Sequence, residues 1–136
     1  EAVEDGLESA GARDVTAEFR EGERFQTREG MNYLQPTIVR CDSFDESLAL
    51  REFLFPFASV VECPQAEVLD NIGYSLVLTA VTKDIEWINQ LFDCPELERL
   101  NVGNVPTNRI SWNQPHEGNL FEFLYTRRSF AFAESA

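Results

Sequence analysis

The sequence predicts an α/β fold built around parallel strands. Two stretches are apolar almost throughout and have the length of buried strands, Phe57 to Cys63 and Ser75 to Val81. Each is followed by a stretch whose apolar residues recur at helical spacing: Val68, Leu69 and Ile72 after the first, and Ile85, Ile88, Leu91 and Phe92 after the second. Apolar strands that alternate with amphipathic helices are typical of parallel sheets with right-handed crossovers.

These helices have clear boundary signals. Pro64 stands where a helix commonly opens, and Gly73 follows the end of that first helix. The second helix is predicted to begin at about Asp84 and to end before Pro95. It leads to a third strand, which contains Leu100 to Val102.

The amino-terminal part is less regular. Apolar residues at helical spacing predict a helix over residues 1–12 that stops at Gly11. Alternation from Asp14 to Phe19 predicts a short strand. The stretch from Arg20 to Asn32 is polar and has no periodicity, and it therefore predicts a loop.

Three further segments complete the chain. Tyr33 to Arg40 predicts a strand entered through a proline, and Asp45 is the predicted cap of a helical turn over residues 46–50. Residues 109–118 predict a polar and aromatic loop. Leu120 to Phe132 is rich in Phe and Tyr and predicts a strand or a pair of strands.

Charge and length limit the classes of function. The 136 residues carry a formal net charge of -13, which opposes binding to nucleic acid or to an anionic membrane surface. No apolar run approaches the roughly 20 residues that span a bilayer, and the amino end has neither the basic start nor the apolar core of a signal peptide. We therefore expect neither a membrane nor a nucleic-acid partner.

The cysteines predict structural thiols. Cys41, Cys63 and Cys94 lack the close spacing of a metal-binding pair, so no metal site is predicted. Their apolar surroundings and odd number favour free thiols in a reducing compartment, and we expect a cytoplasmic location.

Several short motifs follow one another in the order of a known family. They are Pro36-Thr37-Ile38-Val39, Glu52-Phe53-Leu54-Phe55-Pro56, Gly73-Tyr74-Ser75-Leu76, Val81-Thr82-Lys83-Asp84, Gly103 to Asn108 with the pattern Gly-x-Val-x-x-Asn, and Tyr125-Thr126. From about residue 10 to residue 130 the chain resembles the carboxyl-terminal part of the aldehyde dehydrogenase superfamily. The resemblance implies a portion of the catalytic domain over residues 1–118, and a closing strand for oligomerisation over residues 119–136.

The resemblance implies a cofactor, NAD or NADP, near two residues. Glu52 matches the glutamate that accepts hydrogen bonds from the nicotinamide ribose, and Leu54 stands where the family has an aromatic residue beside the nicotinamide. Phe55 replaces a glycine of the family, which puts the ribose contact in doubt. From the residues alone, Glu52 is more commonly an exposed acid at a strand entrance, and a buried core role for Phe53, Leu54 and Phe55 is at least as common as a ligand contact.

The resemblance also implies part of an aldehyde pocket. Asn108 is expected to end a strand and matches the asparagine that fixes the loop facing the substrate, and Trp112 and His116 are expected to line the entrance. A lone histidine in a polar loop is more commonly a surface residue. The resemblance carries no catalytic residue into this chain, because the family's nucleophilic cysteine, its glutamate base and its glycine-rich turn all lie upstream of the matching segment.

Two interpretations remain open. In the first, the chain is the carboxyl-terminal segment of an NAD(P)-dependent aldehyde dehydrogenase, inactive alone, whose partners are the rest of that chain and other subunits bound through the closing strand. In the second, it is a stand-alone, non-catalytic α/β module for interaction or assembly. The residues that precede Glu1, and the binding of a hydrophobic dye, distinguish the two.

Overall fold

The structure, a computed structural model, describes residues 1–109 and 129–132. The chain divides into two compact units, Glu1–Val68 and Leu69–Ala136. Each unit contains a parallel pair of strands, β4 with β5 in the first and β6 with β7 in the second. The predicted α/β class is therefore confirmed at this coarse level.

The first unit contains one helix and five strands. They are α1 (Ala2–Gly6), β1 (Ala12–Asp14), β2 (Phe25–Arg28), β3 (Met31–Leu34), β4 (Thr37–Cys41) and β5 (Phe57–Val61). A three-stranded sheet has the order β1-β4-β5, in which β4 runs antiparallel to β1 and parallel to β5. The strands β2 and β3 form a separate antiparallel hairpin.

One face of this sheet covers the core of the first unit. Thr37, Val39 and Cys41 alternate with exposed residues along β4, as expected for a strand with one buried face. The core consists of Ala12, Val39, Cys41, Leu48 and Ala49, with Leu7, Phe53, Phe57 and Val61 packed against it. The opposite face of the parallel pair exposes Ile38 and Val60, at 39% and 51%.

The second unit is built on a parallel sheet. A 3-10 turn (Gln65–Glu67) lies at the end of the first unit, and the chain continues through α2 (Val68–Ile72), β6 (Ser75–Ala80), α3 (Ile85–Asp93), β7 (Leu97–Val102) and β8 (Ser129–Phe132). The sheet order is β6-β7-β8, with both pairings parallel. Helix α3 buries Trp87, Ile88 and Leu91 and contacts β7.

Capping explains where α3 begins. The Asp84 side chain accepts hydrogen bonds from the backbone N–H groups of Glu86 and Trp87, at 3.0 and 3.1 Å. These are two of the donors that the first turn of a helix leaves without a partner in the helix. The predicted start at Asp84 is confirmed, as are β5, β6, β7 and the helix between Pro64 and Gly73.

The predicted pairing of the strands is partly wrong. The apolar pattern favoured pairing between the strands on either side of α2, but β5 pairs with β4, and β6 pairs with β7. The parallel strand-helix-strand unit is therefore β6-α3-β7. Apolar composition shows that a strand is buried, but it does not specify which neighbour it pairs with.

Three predictions for the amino-terminal part also need correction. Helix α1 ends at Gly6 rather than Gly11, and a Cβ atom added to Gly6 would meet Leu48 Cγ at 2.4 Å. The strand predicted from Asp14 to Phe19 is a turn after its first residue. Strand β1 ends at Asp14, because the Asp14 side chain caps that turn. The helical turn over residues 46–50 is present, but the Asp45 side chain, the predicted cap, accepts no hydrogen bond among the described residues; the Asp45 N–H instead donates to Ser43 Oγ.

The predicted loop from Arg20 to Asn32 contains most of a β-hairpin. Its two-residue turn is Glu29-Gly30, with φ values of 51° and 77°. Positive φ at both central positions is the type I′ geometry that suits a two-residue hairpin. The sequence does not predict this turn, because Glu29 occupies a position where Asn or Asp is the usual signal.

The carboxyl end is described only in part. Strand β8 confirms a strand over residues 129–132 within the predicted stretch from Leu120. The rest of that stretch, the predicted loop after Arg109 and the predicted domain division at residue 118 lie outside the described residues.

Candidate functional site

The segment Arg51–Pro56 presents two of the predicted site residues. Exposure alternates along it: Glu52, Leu54 and Pro56 are exposed, whereas Phe53 and Phe55 are half-buried. Leu54 is fully exposed, at 110%. A core role for Leu54 is therefore wrong, and the Glu52 carboxylate has no hydrogen-bond or ion-pair partner among the described residues.

This segment is attached to the Pro36-Thr37 strand by the backbone. The N–H of Thr37 donates to the carbonyl of Pro56 at 2.9 Å, and Thr37 is in register with Phe57. Two motifs that are about 20 residues apart in the sequence therefore begin a parallel strand pair together. This pairing fixes the position of Pro56, at the carboxyl end of the segment that contains Glu52.

The phenylalanines of this segment form an aromatic cluster, defined here as Phe53, Phe55 and Phe57. The ring centroids are 5.6 Å apart for Phe53 and Phe55, 5.8 Å for Phe55 and Phe57, and 4.6 Å for Phe53 and Phe57. The Arg51 guanidinium lies over the Phe53 ring, 5.4 Å from its centroid. The side chain of Phe55, which replaces a glycine in the resemblance, thus packs among other rings.

The Gly103 to Asn108 segment lies in the second unit. Gly103 has a φ of 87°, a conformation that glycine adopts without strain, and its N–H donates to Ala80 at 2.8 Å. Val105 is 3% exposed, and its carbonyl accepts from Thr79 Oγ1 at 3.1 Å. The glycine and valine of the motif thus turn the chain after β7 and attach it to β6.

Asn108 is placed differently from the prediction. We expected it to end a strand, but β7 ends at Val102, and Asn108 is exposed in a turn closed by a hydrogen bond from Arg109 N to Pro106 O. Trp112 and His116 lie outside the described residues. Glu52 and Leu54 lie together in the first unit, whereas Asn108 belongs to the second.

An ionic network in the first unit was not predicted from the sequence. Asp14 Oδ2 accepts from Nη2 of Arg20 at 2.9 Å and from Nη2 of Arg24 at 2.7 Å. Its other oxygen, Oδ1, accepts from the N–H and hydroxyl of Thr16 and from the N–H of Ala17. All three charged side chains are about nine-tenths buried.

The network connects distant parts of the first unit. Arg24 also pairs with Glu4 of α1, and both arginines donate to Thr37 Oγ1 at the start of β4. Burial raises the pKa of Asp14, but hydrogen bonds from Thr16, Arg24 and Arg20 outweigh it and lower the pKa to about 2. The only signal in the sequence was Asp14 two residues before Thr16, a spacing typical of a side-chain-capped turn.

An open cavity of about 620 Å³ adjoins this network. Its lining carries charges of both signs, because Arg20 and Arg24 face it together with Glu4 and Glu23. The two arginines are already paired with Asp14 and Glu4. We therefore interpret the network as a structural element of the first unit.

The three cysteines are free thiols. Cys41 is fully buried in the core, and burial raises its pKa, with Glu46 and Asp42 acting in the same direction. Cys94 donates to Glu96 at 3.2 Å, and Cys63 is half-buried. A buried thiol with a raised pKa is a poor nucleophile, which is consistent with the structural role predicted for Cys41.

Comparisons with protein-family models, with curated proteins and with solved structures find no match to this chain. Within residues 1–109 and 129–132, no helix is long and apolar enough to cross a membrane. In that same part of the chain, no group of three or more His, Cys, Asp or Glu side chains is placed to hold a metal ion.

Proposed function

We propose that this chain is the carboxyl-terminal segment of an NAD(P)-dependent aldehyde dehydrogenase, and that Glu52 and Leu54 face its cofactor. One observation carries the proposal. The hydrogen bond between Thr37 and Pro56 brings two motifs of the resemblance into one strand pair, and beside that pair stand an exposed carboxylate and an exposed apolar side chain.

The exposed side chains of Glu52 and Leu54 have the chemistry to contact such a cofactor. The two hydroxyls of a ribose are hydrogen-bond donors, and one ionised carboxylate such as Glu52 accepts both. Leu54 offers an apolar surface to the adjoining nicotinamide ring. When bound, the cofactor accepts a hydride, and the contribution of Glu52 and Leu54 is to orient it.

The exposed apolar surface of the first unit supports a role as part of a larger chain. Parallel strands are normally covered on both faces, yet Ile38 and Val60 are exposed on the outer face of β4 and β5. Phe19 is 84% exposed. We propose that the rest of the dehydrogenase chain covers this surface, and that the closing strand contributes to a homo-oligomer.

Intact mass and enzymatic assay of the protein from its native source test this proposal. We expect a mass several times 15.5 kDa and the formation of NADH or NADPH that depends on an aldehyde. A mass near 15.5 kDa, with cooperative unfolding and weak binding of a hydrophobic dye, would instead support a stand-alone, non-catalytic module.

The substitution Glu52→Gln tests the cofactor contact in the full-length protein. Replacing the ionised acceptor by an amide weakens two charge-assisted hydrogen bonds, so we expect KM for the cofactor to rise about tenfold or more and kcat to fall. Glu62→Gln is the matched control, because Glu62 is 84% exposed and pairs only with Arg40 among the described residues. Unchanged KM and kcat in the Glu52 variant would refute the contact.

A further inference from the structure

The Arg51–Pro56 segment bends and leaves Leu54 fully exposed. The backbone bends at residues 54–56. The ring centroids of Phe53 and Phe57, which are four residues apart in the sequence, are 4.6 Å apart. The two rings therefore meet across the bend, and Leu54 is fully exposed.

Phe55 takes part in closing this bend. Its ring contacts both Phe53 and Phe57, at tilted or edge-on angles of 54° and 60° that favour aromatic pairs. Its φ is not positive, so the backbone here needs no glycine. The Phe55 side chain is half-buried with the other two rings, whereas its neighbours Leu54 and Pro56 are exposed.

We infer that Phe55 is a positioning residue, which holds Glu52 and Leu54 in place for the ribose and nicotinamide of the cofactor. This inference rests on the proposed function. In the resemblance, a phenylalanine in place of glycine puts the ribose contact in doubt. The geometry favours the opposite role, because the Phe55 ring packs against Phe53 and Phe57 instead of being exposed as Glu52 and Leu54 are. The bend that a flexible glycine permits is here stabilised by ring contacts.

Nucleotide binding to the full-length protein tests the inference without relying on activity. NAD and NADP are titrated by calorimetry, with ADP and its 2′-phosphorylated form as controls that lack the nicotinamide and its ribose. We expect Phe55→Gly to weaken dinucleotide binding about tenfold, because two ring contacts that hold the segment are lost. We expect the affinity for the control nucleotides to stay unchanged.

Two further variants keep the result interpretable. Phe55→Leu retains an apolar side chain and should weaken dinucleotide binding by a smaller factor. If the Phe55→Gly variant does not fold, the dinucleotide affinity of Phe55→Leu tests the positioning role. Phe25→Leu is the matched control, because Phe25 lies in β2, outside the aromatic cluster, and is 57% exposed. It should leave dinucleotide binding unchanged.

The possible outcomes separate this inference from the proposed function. If Glu52→Gln weakens dinucleotide binding while both Phe55 variants leave it unchanged or tighten it, the positioning role is refuted and the proposed function stands. If the wild-type protein binds neither dinucleotide, the positioning role of Phe55 and the proposed function are both refuted. An equal loss for dinucleotides and control nucleotides would assign Phe55 to general folding and would refute its positioning role.

Discussion

Replacing Asp14 by asparagine is expected to destabilise the chain by about 3 kcal/mol, because breaking a buried ion pair by removing one partner costs about 3–5 kcal/mol. Asp14 is the only carboxylate paired with Arg20 among the described residues, and it shares Arg24 with the more exposed Glu4. The amide of asparagine cannot neutralise two guanidinium groups that are about nine-tenths buried. Urea unfolding followed by circular dichroism measures the loss.

The control for this prediction is Glu62→Gln. It makes the same chemical change in the pair between Glu62 and Arg40, whose side chains are 84% and 48% exposed. Exposed pairs contribute about 1 kcal/mol or less, so the control should unfold nearly as the wild type does. Equal small losses in both variants would show that the Asp14 network contributes no more than a surface pair.

The Asp14 network also predicts how stability changes with pH. The pKa of Asp14 is about 2 in the folded chain and 3.8 for an ordinary aspartate, so the unfolded chain binds more protons between these values. The stabilisation by Asp14 is therefore complete above about pH 4 and is lost as the pH falls through about 2. In Asp14→Asn this part of the pH dependence should be missing.

Replacing Leu100 by alanine should have an effect of similar size in the second unit. Leu100 is 0% exposed on β7, the central strand of the parallel sheet. Truncating a fully buried leucine removes apolar contacts and leaves a cavity, which costs about 2–5 kcal/mol. We expect a loss near 3 kcal/mol, measured by urea unfolding.

A leucine on the neighbouring strand provides the control. Leu76 lies on β6 and is 40% exposed, so Leu76→Ala should cost less than about 1 kcal/mol. If both variants lost the same stability, the burial of Leu100 on β7 would not describe the folded protein. If Leu100→Ala alone were destabilised, the burial of Leu100 on β7 would be supported.

The candidate site could be predicted only in part from the sequence. The resemblance singles out Glu52 and Leu54, and the structure adds that both side chains are exposed beside β5. The direction of the Phe55 side chain could not be predicted, because it depends on ring contacts that form when the chain bends. The resemblance also singles out Asn108, but the place of Asn108 in an exposed turn could not be predicted.

By itself, the sequence determined the elements whose signals are local. Apolar runs specify β5 and β6, helical spacing and the Asp84 cap specify α3, and Pro36 marks the entry to β4. Each of these signals acts between residues a few positions apart, through capping, propensity or a continuous apolar face. The predicted bounds of β5, β6 and α3 lie within a few residues of the observed ones, whereas the strand predicted from Tyr33 to Arg40 is divided, because Tyr33 and Leu34 belong to β3.

Tertiary structure alone decided the pairing of β5 with β4, the pairing of Asp14 with Arg20 and Arg24, and the exposure of Leu54. Each of these depends on contacts that no local pattern specifies. A buried strand is equally apolar beside any neighbour, and a polar loop gives no sign that two of its arginines will be buried. Strand pairing and side-chain placement follow the packing that leaves the fewest buried charges unpaired and the fewest apolar faces uncovered.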